Sequence, residues 1–326
     1  MQPLQNIKSE VSTPPRFRLR PARILRLLPF VLLAVVILIM GIFVPDFLTG
    51  QNLINVLTQS TALALMAVGV SAVLITGGID LSIPSVMAFS GILGAMYMRD
   101  GGSPLIAGLI MVASGSVTGV VNGFAIAYLR MIPFVVTLSM MAVMGGAATG
   151  ITNARSIGNL PPEFTETVLT KIGFVPLIVI LLFVIVLIVQ LLMRNSLFGR
   201  WLYAIGINIK TSRVSGIPTR RVLLLTYMFS GFMAGMAAIV TTARLGAAGP
   251  TLGGEGVVLD VISSAVLGGV SIYGGVGSAL DALVGAILIT LISNSMNMME
   301  ISYYLTLVVK GIVIILFVGL DARHRS

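Results

Sequence analysis

The sequence predicts an all-α integral membrane protein, a polytopic bundle of about ten transmembrane helices with N- and C-termini cytoplasmic. Three observations carry this. Of 326 residues, 57% are hydrophobic and only 10% charged, and the mean hydropathy is +1.06. A soluble domain carries about 25% charged residues, so this chain cannot clothe a globule in polar surface. Its apolar residues come in stretches close to the ~20 that span a bilayer core. Its basic residues fall mostly on one side of those stretches.

The elements follow in order. Residues 1–26 are polar, hold Pro14 and Pro15, and carry five arginines from Arg16 to Arg26, which reads as a disordered basic cytoplasmic tail. The apolar run 27–44 is long for a signal peptide, and no small-x-small cleavage site precedes Pro45-Asp46. It reads as an uncleaved first span. Further apolar stretches lie at 53–76, 82–98, 104–129, 132–150, 172–193, 222–242, 257–272, 278–298 and 302–319. The stretch 257–272 is short and contains glycine, so it fits either a crossing or a re-entrant, broken helix held inside protein. Residues 27–321 thus form one membrane domain, and 322–326 a short cytoplasmic C-terminal tail.

With the tail inside, ten crossings bring the C-terminus back inside. Fifteen of the 20 Lys and Arg then lie inside: six in the tail, Arg130, six in the segment 194–221, and Arg323 and Arg325. Only Arg99, Arg155, Lys171 and Arg244 lie outside, with Lys310 in the last span. This is the positive-inside pattern. The net charge of +9 is therefore a topology signal, and no nucleic-acid partner is expected.

Chemistry is sparse. The absence of cysteine excludes disulfides and thiolate ligands, and a single histidine, His324, excludes a multi-histidine metal site. Gly-x-Ser-x-Gly, His-Glu-x-x-His and paired-carboxylate constellations are missing, so no catalytic residue, cofactor or metal is expected on this chain. Many of the 36 glycines sit inside apolar stretches, as in Gly115-Ser116, Gly145-Gly146, and Gly231 with Gly235. Small residues let spanning helices approach closely.

Three inward-facing segments stand apart. Thr76-Gly77-Gly78-Ile79-Asp80-Leu81-Ser82 reverses the chain between two spans. Its glycines suit a tight turn, and Asp80 can N-cap a helix starting near Ser82, with Pro84 early in that helix. The segment 194–221 is the long cytoplasmic loop, with short helical pieces expected to break at Gly206 and Gly216. Its Trp201, Tyr203, Ile205 and Ile217 suit either the lipid headgroups or a docking surface for another protein. The third, 267–278, is rich in glycine but lacks the Lys-Ser/Thr of a Walker A loop. A turn between two helical segments fits it better than a nucleotide site. Intramembrane ionisable groups are few: Lys310 and, near span ends, Asp260, Asp281 and Glu300. Each is a functional candidate because a charge at mid-bilayer costs about 3 kcal/mol. Lys310 is expected to face the bundle and to meet Asp281, Glu300 or helix carbonyls lining the cavity, with Asp281 better placed than Glu300.

These motifs resemble one family. Thr76-Gly77-Gly78-Ile79-Asp80-Leu81-Ser82 is similar to the signature of simple-sugar permeases of ABC transporters, the ribose-type branch of the branched-chain amino acid/sugar permease family. Gly199-Arg200 through Gly206, then Asn208 and Ser215-Gly216-Ile217, resemble its cytoplasmic coupling loop. Leu259-Asp260, Val266-Leu267-Gly268-Gly269 and Tyr273-Gly274-Gly275-Val276-Gly277-Ser278 resemble its C-terminal signature, and Val308-Val309-Lys310-Gly311 its last span. The chain departs from the pattern at Ile83-Pro84, Ile207-Asn208-Ile209, Val257-Val258 and Asp281.

The resemblance implies a permease subunit of a bacterial inner-membrane importer, itself no enzyme. Its implied partners are a second permease subunit (identical or similar), a cytoplasmic ATP-binding cassette subunit that holds ATP and Mg, and an extracytoplasmic sugar-binding protein. Membrane lipid surrounds the bundle. Arg200, Gly206, Asn208, Arg213, Ser215, Gly216 and Ile217 become ATPase-coupling candidates. Gly77, Gly78, Asp80, Ser82, Asp260, Gly268, Gly269, Gly274, Gly275, Gly277 and Ser278 become signature turns. Asn122, Thr137, Ser139, Asn294, Asn297 and Lys310 are the candidate substrate pathway, because amides and hydroxyls in spans can hydrogen-bond a neutral sugar. Nucleosides, branched-chain amino acids and a secondary sugar carrier are the alternatives.

Overall fold

A computed structural model describes residues 21–325, with side chains from 29 to 315. Most of the expected basic tail, residues 1–20, lies outside the described residues, as does Ser326. The chain runs α1 (Pro21–Phe43), α2 (Gly50–Ile75), α3 (Ile83–Arg99), α4 (Pro104–Ala127) and α5 (Pro133–Thr152). A short α6 (Pro162–Leu169) and a hairpin of β1 (Lys171–Ile172) and β2 (Val175–Pro176) precede α7 (Leu177–Asn195). Then come α8 (Leu197–Ile207), α9 (Ile209–Val214), α10 (Thr219–Leu245), a 3-10 turn (Pro250–Gly253), α11 (Glu255–Gly268), α12 (Ala279–Met298) and α13 (Tyr303–Arg325).

Local chemistry sets many boundaries. Pro104 and Pro133 open α4 and α5, where a missing N–H costs nothing. The hydroxyls of Thr49, Ser103, Ser196 and Ser278 accept from backbone N–H groups at the starts of α2, α4, α8 and α12.

Each of the ten apolar stretches falls on a helix, namely α1 to α5, α7 and α10 to α13. Among the described residues, seven segments are long and apolar enough to cross a membrane: α2, α4, α5, α7, α10, Pro250–Gly268 and α12. Helix α3 has 17 residues. Several expected boundaries move. Residues 21–26 are the first turns of α1 rather than tail, since a leading proline and good helix formers extend that helix. The C-terminal tail expected at 322–326 is largely the last turn of α13. The stretch 172–193 begins in the hairpin, with Gly173 left-handed at φ 66°. The stretch 257–272 is one short helix that stops at Gly268, because Gly269 turns left-handed.

Helix α2 is the enclosed centre, packed against α7, α10, α11 and α12. Ala64, Ala67, Val68, Val70 and Val73 on it are fully buried. The most extensive helix contact joins α4 to α10. A Cβ on Gly115 would strike the Gly231 carbonyl, one on Gly119 the Tyr227 carbonyl, and one on Gly235 the Met111 carbonyl. These backbones touch, as small residues at four-residue spacing permit. Gly145 and Gly146, expected to pack likewise, meet nothing within 4 Å, because α5 presents that face away from the rest of the chain. The outer faces of α4, α5 and α7 expose Leu109, Val117, Val143, Leu187 and Ile188. Apolar bands of this extent belong against lipid or protein.

Candidate functional site

The turn between α2 and α3 is built around Asp80, which is 3% exposed. Asp80 Oδ1 accepts from the Ser82 backbone N–H (3.0 Å) and from the Ser82 hydroxyl (2.6 Å). Its Oδ2 accepts from the Ser230 hydroxyl on α10 at 2.7 Å. Asp80 therefore does not N-cap α3, as the sequence suggested. The helix starts later, at Ile83, and the carboxylate closes the turn before it while reaching across to α10. Asn122 on α4 donates from Nδ2 to the Ser82 hydroxyl at 2.9 Å. The Ile79 carbonyl accepts from Tyr227 on α10 and Thr137 on α5, both at 3.3 Å. One buried turn thus ties α4, α5 and α10 together. Among the described residues, Asp80 forms no ion pair, and the buried Asn122 Oδ1 has no hydrogen-bond partner.

Removing this carboxylate has a calculable consequence. Asp80→Ala strands a backbone N–H and two hydroxyls in a buried site, at about 1–3 kcal/mol for a group left unsatisfied. The variant is expected to lower the thermal unfolding midpoint of the detergent-solubilised protein clearly. Asp80→Asn, which can still accept from Ser82, should lose much less. Equal midpoints for Asp80→Ala and the unmodified protein would remove the turn from the stability of the bundle.

A second arrangement joins the three motif-bearing segments, 76–82, 194–221 and 267–278. The Gly275 N–H donates to the Ile75 carbonyl at the end of α2 at 2.8 Å. A Cβ on Gly206 of α8 would overlap that same carbonyl. A Cβ on Gly274, left-handed at φ 88°, would lie 2.8 Å from the Gly206 carbonyl and 3.1 Å from the Gly77 N–H. The Tyr203 hydroxyl donates to the Gly277 carbonyl at 2.7 Å. Thus α8, the first turn and the C-terminal glycine segment meet backbone to backbone. Gly206 is not the break between helical pieces. That break is Asn208, in extended conformation, whose Oδ1 accepts from the N–H groups of Lys210 (2.9 Å) and Thr211 (3.0 Å). Gly206 instead allows close approach. Gly216, at φ 80°, follows the end of α9 as expected.

Arg200, Asn208, Arg213, Ser215 and Gly216 are exposed on this α8–α9 segment, and Ile217 is half-buried. Gly268 is a packing contact rather than part of the turn, because its Cα faces the Asp281 carbonyl of α12. Ser278 caps α12 by accepting from the Asp281 N–H at 3.2 Å.

Lys310 on α13 is 7% exposed, facing inward as expected, but its partner differs. Lys310 Nζ donates to both carboxylate oxygens of Asp260 on α11, at 2.9 and 2.8 Å. The expected pairing with Asp281 is therefore corrected. Asp281 lies in the first turn of α12, near the opposite end of the bundle from the start of α13, whereas Asp260 lies early in α11, against α13.

The pathway candidates do not converge. Asn122 and Thr137 support the Asp80 turn, and Asn294 exchanges two 3.1 Å hydrogen bonds with Asn52 on α2. Ser139 and Asn297 are exposed, on α5 and α12. Two cavities, one formed by residues 41–49 and one by the ends of α3 and α5, are lined by none of the six. Sequence reasoning missed Ser230, Tyr227 and Asn52, and it gave Tyr203 to lipid headgroups or a docking surface rather than to the Gly277 carbonyl. Polar side chains inside apolar helices were the available signal for Ser230 and Tyr227.

Known proteins resemble this chain along most of its length. The profile described as branched-chain amino acid transport system / permease component matches residues 52–318. The ribose import permease protein RbsC of Bacillus subtilis (strain 168) is 35% identical over 300 residues, covering 91% of this chain and 93% of that one. The D-allose transport system permease protein AlsC of Escherichia coli (strain K12) is 34% identical over 294 residues, 90% of each. The xylose transport system permease protein XylH of Haemophilus influenzae is 28% identical, covering 86% of this chain and 91% of its own length. No solved structure matches the chain. With the three motifs lying inside a match that runs from residue 52 to residue 318, this chain is a multi-pass membrane protein of the branched-chain amino acid transport system permease family.

Proposed function

We propose that this chain is the permease subunit of an ATP-binding cassette importer for a monosaccharide, in the bacterial inner membrane. Support comes from the relatives, whose names specify ribose, allose and xylose transport. The observation that carries the mechanism is the backbone junction of α8 with the ends of α2, α11 and α12. A partner that moves α8–α9 moves, through contacts with no side chain to yield, the turns that join four helices of the bundle. In this reading the cassette subunit binds ATP and Mg, docks on α8–α9 and supplies the force. A second permease subunit completes the membrane unit, and an extracytoplasmic binding protein delivers the sugar. All ten apolar helices cross, with both termini on the α8–α9 side, as the distribution of basic residues requires. Ser139 and Asn297 are the pathway candidates whose polar groups stay open to substrate.

The test is reconstitution in proteoliposomes with the cassette ATPase and the binding protein. This chain alone should hydrolyse no ATP, and the complete system should import a labelled monosaccharide only with ATP inside. Uptake driven by a proton gradient without any ATPase would overturn the proposal.

A further inference from the structure

We propose that Tyr273, at the tip of the hairpin between α11 and α12, is an aromatic anchor that inserts into the cassette ATPase beside α8–α9. The inference rests on the docking role of α8–α9 and extends that surface to a second segment.

The tip is rigid. The Ser271 N–H donates to the Val276 carbonyl at 2.9 Å, and the Tyr273 N–H to the Ser271 hydroxyl at 3.2 Å. Gly275 is bonded to Ile75, and Gly277 receives the Tyr203 hydroxyl. A loop pinned at these points has no conformational reason to expose its aromatic ring, yet Tyr273 is 80% exposed. Ile272 and Val276 beside it are exposed as well, and so is Ile207, whose side chain lies against Gly275. Val214 on α9 adds a further exposed apolar group.

On α8 and α9, the first of which bonds this hairpin through Tyr203, Arg200, Lys210 and Arg213 are all exposed. An apolar centre with a charged rim is the anatomy of a protein interface, and a pre-ordered tyrosine is a residue type that dominates binding energy. The basic rim fits a soluble partner with an apolar cleft and acidic borders.

Tyrosine also sits at lipid headgroups. Position argues against that here. The hairpin covers the C-terminal end of α2, where Leu74 and Ile75 are buried, and α2 is the central helix. The tip therefore projects from beneath the middle of the bundle, where a docked subunit sits, rather than from its lipid-facing perimeter.

The chain contains no cysteine, so a single Tyr273→Cys substitution provides a unique site on it for a thiol-linked photocrosslinker, attached before the ATPase is added. Val214→Cys on α9 and Leu187→Cys on the outer face of α7 are the companions. Crosslinks to the ATPase chain from 273 and 214, but not from 187, are expected. Tyr273→Ala should weaken ATPase binding about thirtyfold, the scale of a strong interface anchor, without lowering the thermal midpoint of the isolated chain. Tyr273→Phe should stay within about threefold, since the ring supplies most of the contact. If 214 reaches the ATPase while 273 reaches lipid, a second copy of this chain, or nothing, the anchor is overturned and the docking role of α8–α9 survives. If neither position reaches the ATPase, both readings fail.

Discussion

Replacing Gly206 with valine is expected to abolish ATP-driven uptake. The Cα of Gly206 lies so close to the Ile75 carbonyl that even one methyl group would overlap it, and the Gly275 N–H that bonds this carbonyl lies 2.5 Å from the same point. Both obstacles are backbone, so no rotamer change relieves them. Overpacking a well-filled site costs about 1–3 kcal/mol. Here two segments must separate, which places the cost at the upper end, or more than a hundredfold in an equilibrium. The junction should open first, because the helices behind it keep their own contacts. Gly206→Val should therefore reach the membrane and bind sugar-binding protein from outside, yet uncouple ATP hydrolysis from uptake. Gly50→Ala, with nothing within 4 Å of its Cβ position, is the control and should transport normally. Coupled uptake in Gly206→Val within twofold of the unmodified transporter would show that α8 acts without this contact.

The second large effect concerns Lys310. Lys310→Met should destabilise the bundle by about 3 kcal/mol, because it leaves a carboxylate inside the membrane domain without its partner. The low end of the range for a broken buried pair applies, since Asp260 keeps 23% of its side chain exposed. Asp260→Leu should cost a similar amount by stranding the ammonium. The double variant Lys310→Met/Asp260→Leu separates structure from function. Replacing both partners of a buried pair with apolar groups is often neutral or stabilising. A double variant that regains assembly and also uptake makes the pair a strut between α11 and α13. Regained assembly without uptake makes the charges part of the transport cycle. Unchanged thermal midpoints in both single variants would remove the ion pair from stability altogether.

Much of the bundle was legible from local chemistry. Hydropathy, run length and the placement of arginines each depend on neighbours in the sequence, so the ten apolar stretches fell on ten helices. The segment 194–221 and the glycine turns were recognisable because turns require particular residues where they occur. Partnerships were not legible in this way. Lys310 was expected to turn inward toward Asp281, Glu300 or helix carbonyls, whereas the bundle brings it to Asp260, 50 residues away. Asp80 looked like a helix cap because a cap is a local motif, but Ser230, 150 residues distant, completes its coordination. Gly206 looked like a helix break because glycine weakens helices on average. Its role is instead to let a carbonyl from another helix approach.

The sequence by itself determined that the chain is a multi-pass helical membrane protein, where its helices run, and which segments carry its family signature. Each of these is written in hydropathy periods and in residues whose conformational preferences act within a few positions. Only the tertiary structure decided that the three motifs form one junction, that Lys310 bonds Asp260, and that Tyr273 stands exposed on a pinned tip. Those facts depend on how close two backbones come, and closeness between helices is set by the small residues along their contact, here Gly206 at the junction and Gly268 and Gly285 between α11 and α12.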